Sequence, residues 1–479
     1  MDKPKSKFEI LPLECIQAIL GFIDNVPNLE SINRSCKAIH KALDQLLLEQ
    51  VLTNEIGLEV LPEALLTTLV SRNVPFTKDD LGEFGNRFLK GGRNFDLKAH
   101  ANLRLRDALF LSKLHSQVTW FTNDFISKAF ASRCFTNGAS MMTSQLPASD
   151  REIWRIQRAF YRFQIYCCMV NRGESPPRSS PSYIDFEAVD QNGIFFSHFS
   201  VLENEQLACI HDYIFRILAP GFNSLVDHDI GWINFLPEYA SFEDPRTLEP
   251  LIARGLFKVR DMVDAKSYEQ LHKSCYPDYP HYSSDLLDYG LKNSAKGFGE
   301  DHDGEDYDYW LEDYTDKDND KLIKESTWLY DQDKGPELVW RWAHATFSSR
   351  FFVLSEQHRF EREWGYVMWD YSRISELGVM ENEWESNSEY EFSHMYRPSQ
   401  ESIDRRLLIY SRGGRGWWSA EDESKVIWPG GCSPFDQISV EDRRDPDKVS
   451  SINEAKDFMR SLELPQLPSS SQRRRHNNH

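Results

Sequence analysis

Residues 8 to 23 read Phe8-Glu-Ile-Leu-Pro-Leu-Glu-Cys-Ile-Gln-Ala-Ile-Leu-Gly-Phe-Ile23. Pro12 suits the start of a helix, where a backbone N–H would be unpaired anyway. Glu14 follows in the first turn and complements the positive helix end. Ile16, Ile19, Leu20 and Ile23 recur at i, i+3, i+4 and i+7, which is one helical face. Cys15 and Phe22 add apolar surface beside it. Asp24-Asn25-Val26-Pro27 stops the helix, because proline restricts itself and the residue before it. Leu29, Ile32, Cys36, Ile39 and Leu43 then resume the period. Two short helices of this kind cannot cover their apolar faces alone and need a partner or the rest of the chain, so the segment is a candidate docking module, the alternative being a helical hairpin packed into the main domain.

The same residues resemble the F-box. Leu11-Pro12-Leu13-Glu14 matches that family's opening Leu-Pro-x-Glu, and Ser35-Cys36-Lys37 matches its Cys-Lys/Arg step. Ile16, Ile19, Leu20 and Ile23 match its first-helix apolar positions. Ile39 departs from the pattern, since many members carry Trp there. The resemblance implies binding to a Skp-family adaptor and, through it, to a cullin. It also implies an adaptor-binding set of Leu11, Pro12, Ile16, Leu20, Ile23, Cys36 and Ile39.

Outward from this segment, the 479 residues allow about three average domains by length. Apolar residues make up 40% and aromatics 13%, enough for large cores and unlike a disordered chain. The organisation predicted is mainly α. An F-box-like module spans 8–50, a mostly helical putative substrate-recognition region spans 51–430, and a disordered tail spans 440–479. Leu103, Leu105, Leu109, Phe110, Leu111 and Leu114 supply dense core material in the first part of the large region. Ser149 with Glu152, and Ser200 with Glu203, are capping boxes opening long helices. Ile153, Ile156, Phe160, Phe163 and Cys167 predict the buried face of the first. Leu207, Ile210, Ile214 and Ile217 do so for the second. Phe360, Trp364, Val367, Tyr371 and Ile374 predict a third long helix over 356–377. No repeat with a leucine-rich, blade-like or ankyrin period is present.

Stretches of the large region also resemble uncharacterised F-box-like proteins of filamentous fungi. These are Arg155-Ile-Gln-Arg-Ala-Phe-Tyr-Arg-Phe-Gln-Ile-Tyr-Cys167, Glu203-Asn-Glu-Gln206 and Trp364-Gly-Tyr-Val-Met-Trp-Asp370. Such proteins often carry Trp where this chain has Leu202. The resemblance implies little about activity.

The net charge is −20, which argues against binding nucleic acid or an anionic membrane. Eleven acidic residues and one lysine fall within residues 300–320 alone. Asp316, Asp318 and Asp320 have the opening spacing of a calcium loop. Lys321 stands where that loop needs Gly, however, and Thr327 where it needs Glu. A solvated acidic loop without metal is therefore predicted. Its interleaved Tyr307, Tyr309, Trp310 and Tyr314 are candidate client-binding residues, and the aromatic stretch Tyr276 to Tyr289 is a second candidate.

Arg412-Gly-Gly-Arg-Gly-Trp-Trp418 lacks phosphate-loop spacing and reads as a turn anchored by its tryptophans. Cys209 and His211, two apart on a helix, do not share a face for metal. His228 between Asp227 and Asp229 is the one acid–base candidate, with no nucleophile motif to accompany it. Eight scattered cysteines, none in Cys-x-x-Cys, read as reduced thiols of the cytosol or nucleus. No cofactor is expected. The reading is a non-catalytic substrate receptor of an SCF-type (Skp adaptor–cullin–F-box) ubiquitin ligase that holds an unknown client protein. The alternatives are a scaffold that works with the adaptor alone and a helical enzyme without local motifs.

Overall fold

Proline and asparagine set the first two helices. The computed structural model describes residues 10–35, 37–72, 77–90, 102–136, 146–170, 186–232, 238–242, 247–275, 287–294, 296–300, 306–310, 333–345, 352–384 and 398–429. Pro12 caps the helix Leu13–Leu20, and its carbonyl accepts from the amides of Cys15 and Ile16 at 3.1 and 3.2 Å. Asn25 caps Val26–Asn33 by accepting from the Asn28 amide at 2.9 Å. A third helix, Lys37–Ala42, follows. The second apolar series is thus divided between two helices where the sequence predicts one. Local side chains account for the break. The Ser35 hydroxyl donates to the Ile32 carbonyl at 2.6 Å, competing for the group a continuing helix would use.

Asp44 caps the next helix, Gln45–Ile56, by accepting from the Leu47 amide at 2.8 Å. This helix runs through residue 50, so the module boundary expected there falls inside a helix. The fold is mainly α. Leu61–Arg72, Leu105–Phe130, Asp150–Val170 and Val201–His228 are its principal helices.

Asp150–Val170 lies at the centre and packs against each of the other three. Both predicted capping boxes form. The Ser149 amide donates to Glu152 Oε2 at 2.8 Å, and Ser200 and Glu203 bond reciprocally in the same way. The central helix departs from the predicted one-face pattern, because every residue from Arg155 to Cys167 is buried. A helix enclosed on three sides has no solvent face, so Arg155, Arg162 and Gln164 find their partners inside the protein.

The hydrophobic core is continuous from Ile16 to Ile374. A small second cluster joins Ile230, Ile409, Trp418 and Val426. No helix among the described residues is long and apolar enough to cross a membrane.

The long helix expected over 356–377 is corrected to four short pieces. They are Glu356–His358, Arg359–Glu363, Tyr366–Met368 and Tyr371–Leu377. Gly365 causes the break. It has φ +66°, and a Cβ there would lie 2.6 Å from Phe125 Cζ. The loop expected over 300–320 contains a strand, Asp306–Trp310, antiparallel to Lys296–Glu300 with Tyr307 opposite Gly299. Aromatic residues favour the extended backbone. The rest of that acidic segment, including the calcium-like positions and Tyr314, lies outside the described residues. So do Cys36 and the tail 440–479.

Candidate functional site

The Leu13–Leu20 helix carries two apolar faces. Ile16 and Leu20 are each 2% exposed and pack inward with Val26, Leu29 and Ile39. Cys15, Ile19 and Phe22 follow at i, i+4 and i+7 on an adjacent face that nothing covers among the described residues. Phe22 is 85% exposed and Ile19 49%. Leu11 and Pro12 are exposed just ahead of the helix. The result is an apolar stripe on a helix whose other side is anchored in the core. An ordinary surface helix puts polar groups there, and exposed apolar stripes mark binding surfaces.

The residues expected at the adaptor contact therefore separate. Leu11 and Pro12 lie on the surface. Ile16, Leu20 and Ile39 lie in the continuous core, and Ile23 is half-buried. Ile19 and Phe22 take the exposed role. The sequence groups Ile19 with Ile16 and Leu20 on one face and sets Phe22 beside them, whereas the structure leaves Ile19 and Phe22 exposed. What the sequence did not settle is which part of that apolar surface the rest of the chain covers. Of the candidate client residues, Tyr307, Tyr309 and Trp310 lie on the Asp306–Trp310 strand.

The three stretches that resemble the fungal proteins meet in space. Arg155 donates to the Met368 carbonyl at 2.5 Å and to Asp370 Oδ1 at 3.1 Å. Gln206 donates to the Val367 carbonyl at 3.2 Å. Arg162 bonds Glu203 at 2.7 Å. Glu152, besides capping its own helix, accepts two bonds from Arg373 at 2.8 Å. Residues more than 200 apart are thus tied by buried charge-assisted bonds.

A second buried network lies on Val201–His228. Arg362 donates to Asp212 at 2.6 Å, to Glu205 at 3.3 Å and to the Ser355 carbonyl at 2.8 Å. Glu205 also accepts from the Tyr366 hydroxyl at 3.1 Å and the Leu354 amide at 3.0 Å. That last bond holds Leu354 at φ +57°, a left-handed conformation unfavourable for a branched residue. His211 bridges Asp212 at 3.0 Å and Glu249 at 2.5 Å. Burial alone would lower the His211 pKa, but Glu249 and Asp212 outweigh it and raise it to about 10. Burial would likewise raise Asp212, yet Arg362 and His211 hold it well below the carboxylate range. These groups converge as an enzyme's would. They are nevertheless buried and saturate one another.

A third polar cluster is less complete. His344 stacks on His358 with centroids 4.0 Å apart. Burial lowers their pKa values to about 4 and about 3, so both rings are neutral at pH 7. Trp384 packs over His358 at 4.7 Å and donates to Glu361 at 2.9 Å. No sequence motif announces this cluster, because its parts come from 340–344, 358–361 and 384.

His228, the acid–base candidate, bonds the Ser224 carbonyl at 2.8 Å and stacks flat on Trp417 at 4.3 Å. The glycine-rich stretch becomes a strand, Arg415–Gly416, paired with Val426–Ile427. Cys209 and His211 are both buried, and among the described residues no group of three His, Cys, Asp or Glu side chains has metal-binding geometry. No family model, curated protein or solved structure matches this chain.

Proposed function

We propose that the chain is a non-catalytic substrate-recognition subunit of a Skp adaptor–cullin–F-box ubiquitin ligase. Its N-terminal helices bind the adaptor and the helical body holds a client. One observation supports this above the rest. An apolar stripe of Leu11, Cys15, Ile19 and Phe22 faces outward along a helix and just beyond its two ends, and the opposite side of that helix is fixed in the core. A folded partner with an apolar groove would cover it, as helix-in-groove recognition does. Catalysis in such an assembly is proximity, because the receptor concentrates client lysines near ubiquitin carried by another subunit.

The test is a titration of adaptor with Ile19→Asp/Phe22→Asp. Both positions are exposed, so the fold should survive. Burying each side chain in an interface contributes about 1.5–3 kcal/mol, so affinity should fall roughly 100-fold or more. Unchanged affinity would remove the proposal. A cullin recovered with the adaptor from cells separates the ligase from a scaffold that uses the adaptor alone.

A further inference from the structure

Among the described residues, two acceptor atoms beneath Trp384 have no donor. His358 is fully buried, and its Nε2 faces the Ala343 carbonyl at 2.9 Å. A carbonyl can only accept, so Nε2 carries the ring proton and Nδ1 is a bare lone pair. That Nδ1 has no hydrogen-bond partner. Three residues on, Glu361 is 3% exposed. Its Oε1 accepts from Trp384, and its Oε2 has no partner among the described residues. The two groups do not bond each other, yet both touch the same indole, one through its ring and one through its N–H. Buried polar atoms are nearly always paired, so two orphans of the same kind under one side chain mark a place that needs donors.

The local charge specifies the donor. Arg362, adjacent in sequence, gives its hydrogen bonds to Asp212, Glu205 and Ser355 and none to Glu361. The cluster thus has a surplus of carboxylate, within a chain of net charge −20 that attracts cations. The half-exposed indole of Trp384 presents a face that binds cations. The segment bearing it is held by the Trp384–Glu361 bond and by Trp342 donating to the Asn382 carbonyl at 2.7 Å. Burial raises the Glu361 pKa, and a cation alongside would offset that penalty. A metal ion is the wrong cation, because the described residues hold no three-ligand set.

We propose that Glu361, His358 and Trp384 form a binding site for a primary ammonium group. Its three N–H donors would serve Glu361 Oε2 and His358 Nδ1, and its charge would lie against the indole. The site is independent of the docking stripe, and adaptor binding neither supports nor weakens it.

Calorimetry with n-butylammonium on the full chain should show saturable binding in the millimolar range or tighter. Tetramethylammonium, a cation without N–H donors, and n-butanol, a donor without charge, should bind at least tenfold more weakly. Glu361→Gln keeps the acceptor for Trp384, removes the charge, and should cost about tenfold or more, the worth of a charge-assisted bond. Trp384→Leu, which leaves both acceptors in place, should also weaken binding, with the thermal midpoint recorded for each variant. A blocked lysine peptide run in parallel identifies the source, since tighter binding than n-butylammonium assigns the site to a protein lysine and weaker binding to a free amine. The absence of saturable n-butylammonium binding, or equal binding by Glu361→Gln, overturns the proposal and leaves the two acceptors to buried water.

Discussion

Arg362→Met removes the cation shared by Asp212 and Glu205 while keeping most of the side-chain volume. Asp212 retains its bond from His211, and Glu205 retains those from Tyr366 and Leu354. Neither retains the guanidinium, and both carboxylates are buried. Breaking a buried ion pair from one side costs about 3–5 kcal/mol, because the remaining charge is left without compensation. With a urea slope of about 3 kcal/mol/M, the unfolding midpoint should fall by about 1–1.7 M. The triple variant Arg362→Met/Glu205→Gln/Asp212→Asn should recover most of that loss, since neutral groups have no stranded charge. Urea titration followed by circular dichroism measures both variants. A single variant within about 0.5 kcal/mol of the parent, the usual range for a surface change, would refute the reading of this network. A triple variant no better than the single would mean that shape matters there and charge does not.

Gly365→Ala places a Cβ against the Phe125 ring in a left-handed conformation, so it should destabilise by about 2–4 kcal/mol in the same titration. A neutral result would mean that the 364–370 turn is not fixed by that contact. Acid should destabilise through His344, held neutral by burial with a pKa lowered to about 4. Its contribution is complete above the unfolded value near 6.5 and is lost as pH falls toward 4, on the order of 3 kcal/mol. His344→Gln should flatten the stability profile between pH 6.5 and 4, and an unchanged slope would contradict this. His211 works in the opposite direction, because its pKa is raised to about 10. Its stabilisation is complete below about 6.5 and fades as pH rises toward 10, so His211→Gln should remove part of any alkaline loss of stability.

The helical class, both capping boxes and the first helix were legible because they are local. Ser149 and Glu152 meet across one turn, and periodicity alone finds Ile16 and Leu20. The break at Gly365 was not legible, because its cause is a ring 240 residues earlier. The same holds for Arg155, which reads as a solvent-facing arginine until the 364–370 turn arrives to accept its protons. The exposed stripe was half legible. The sequence grouped Ile19 with the buried residues on one face, and only packing separated it from them. The cluster under Trp384 had no sequence signature at all, since its members share no spacing.

The continuity of the core from Ile16 onward has a mechanical consequence. A helix joined to its body by a tether can swivel, and whatever grips it learns nothing about the body's orientation. Here the inner side of the Leu13–Leu20 helix belongs to the same packed interior as the long helices behind it. A partner seated on Ile19 and Phe22 would hold a handle forged in one piece with the tool. The surfaces built on that packed interior would then be presented to the partner at a fixed angle and reach.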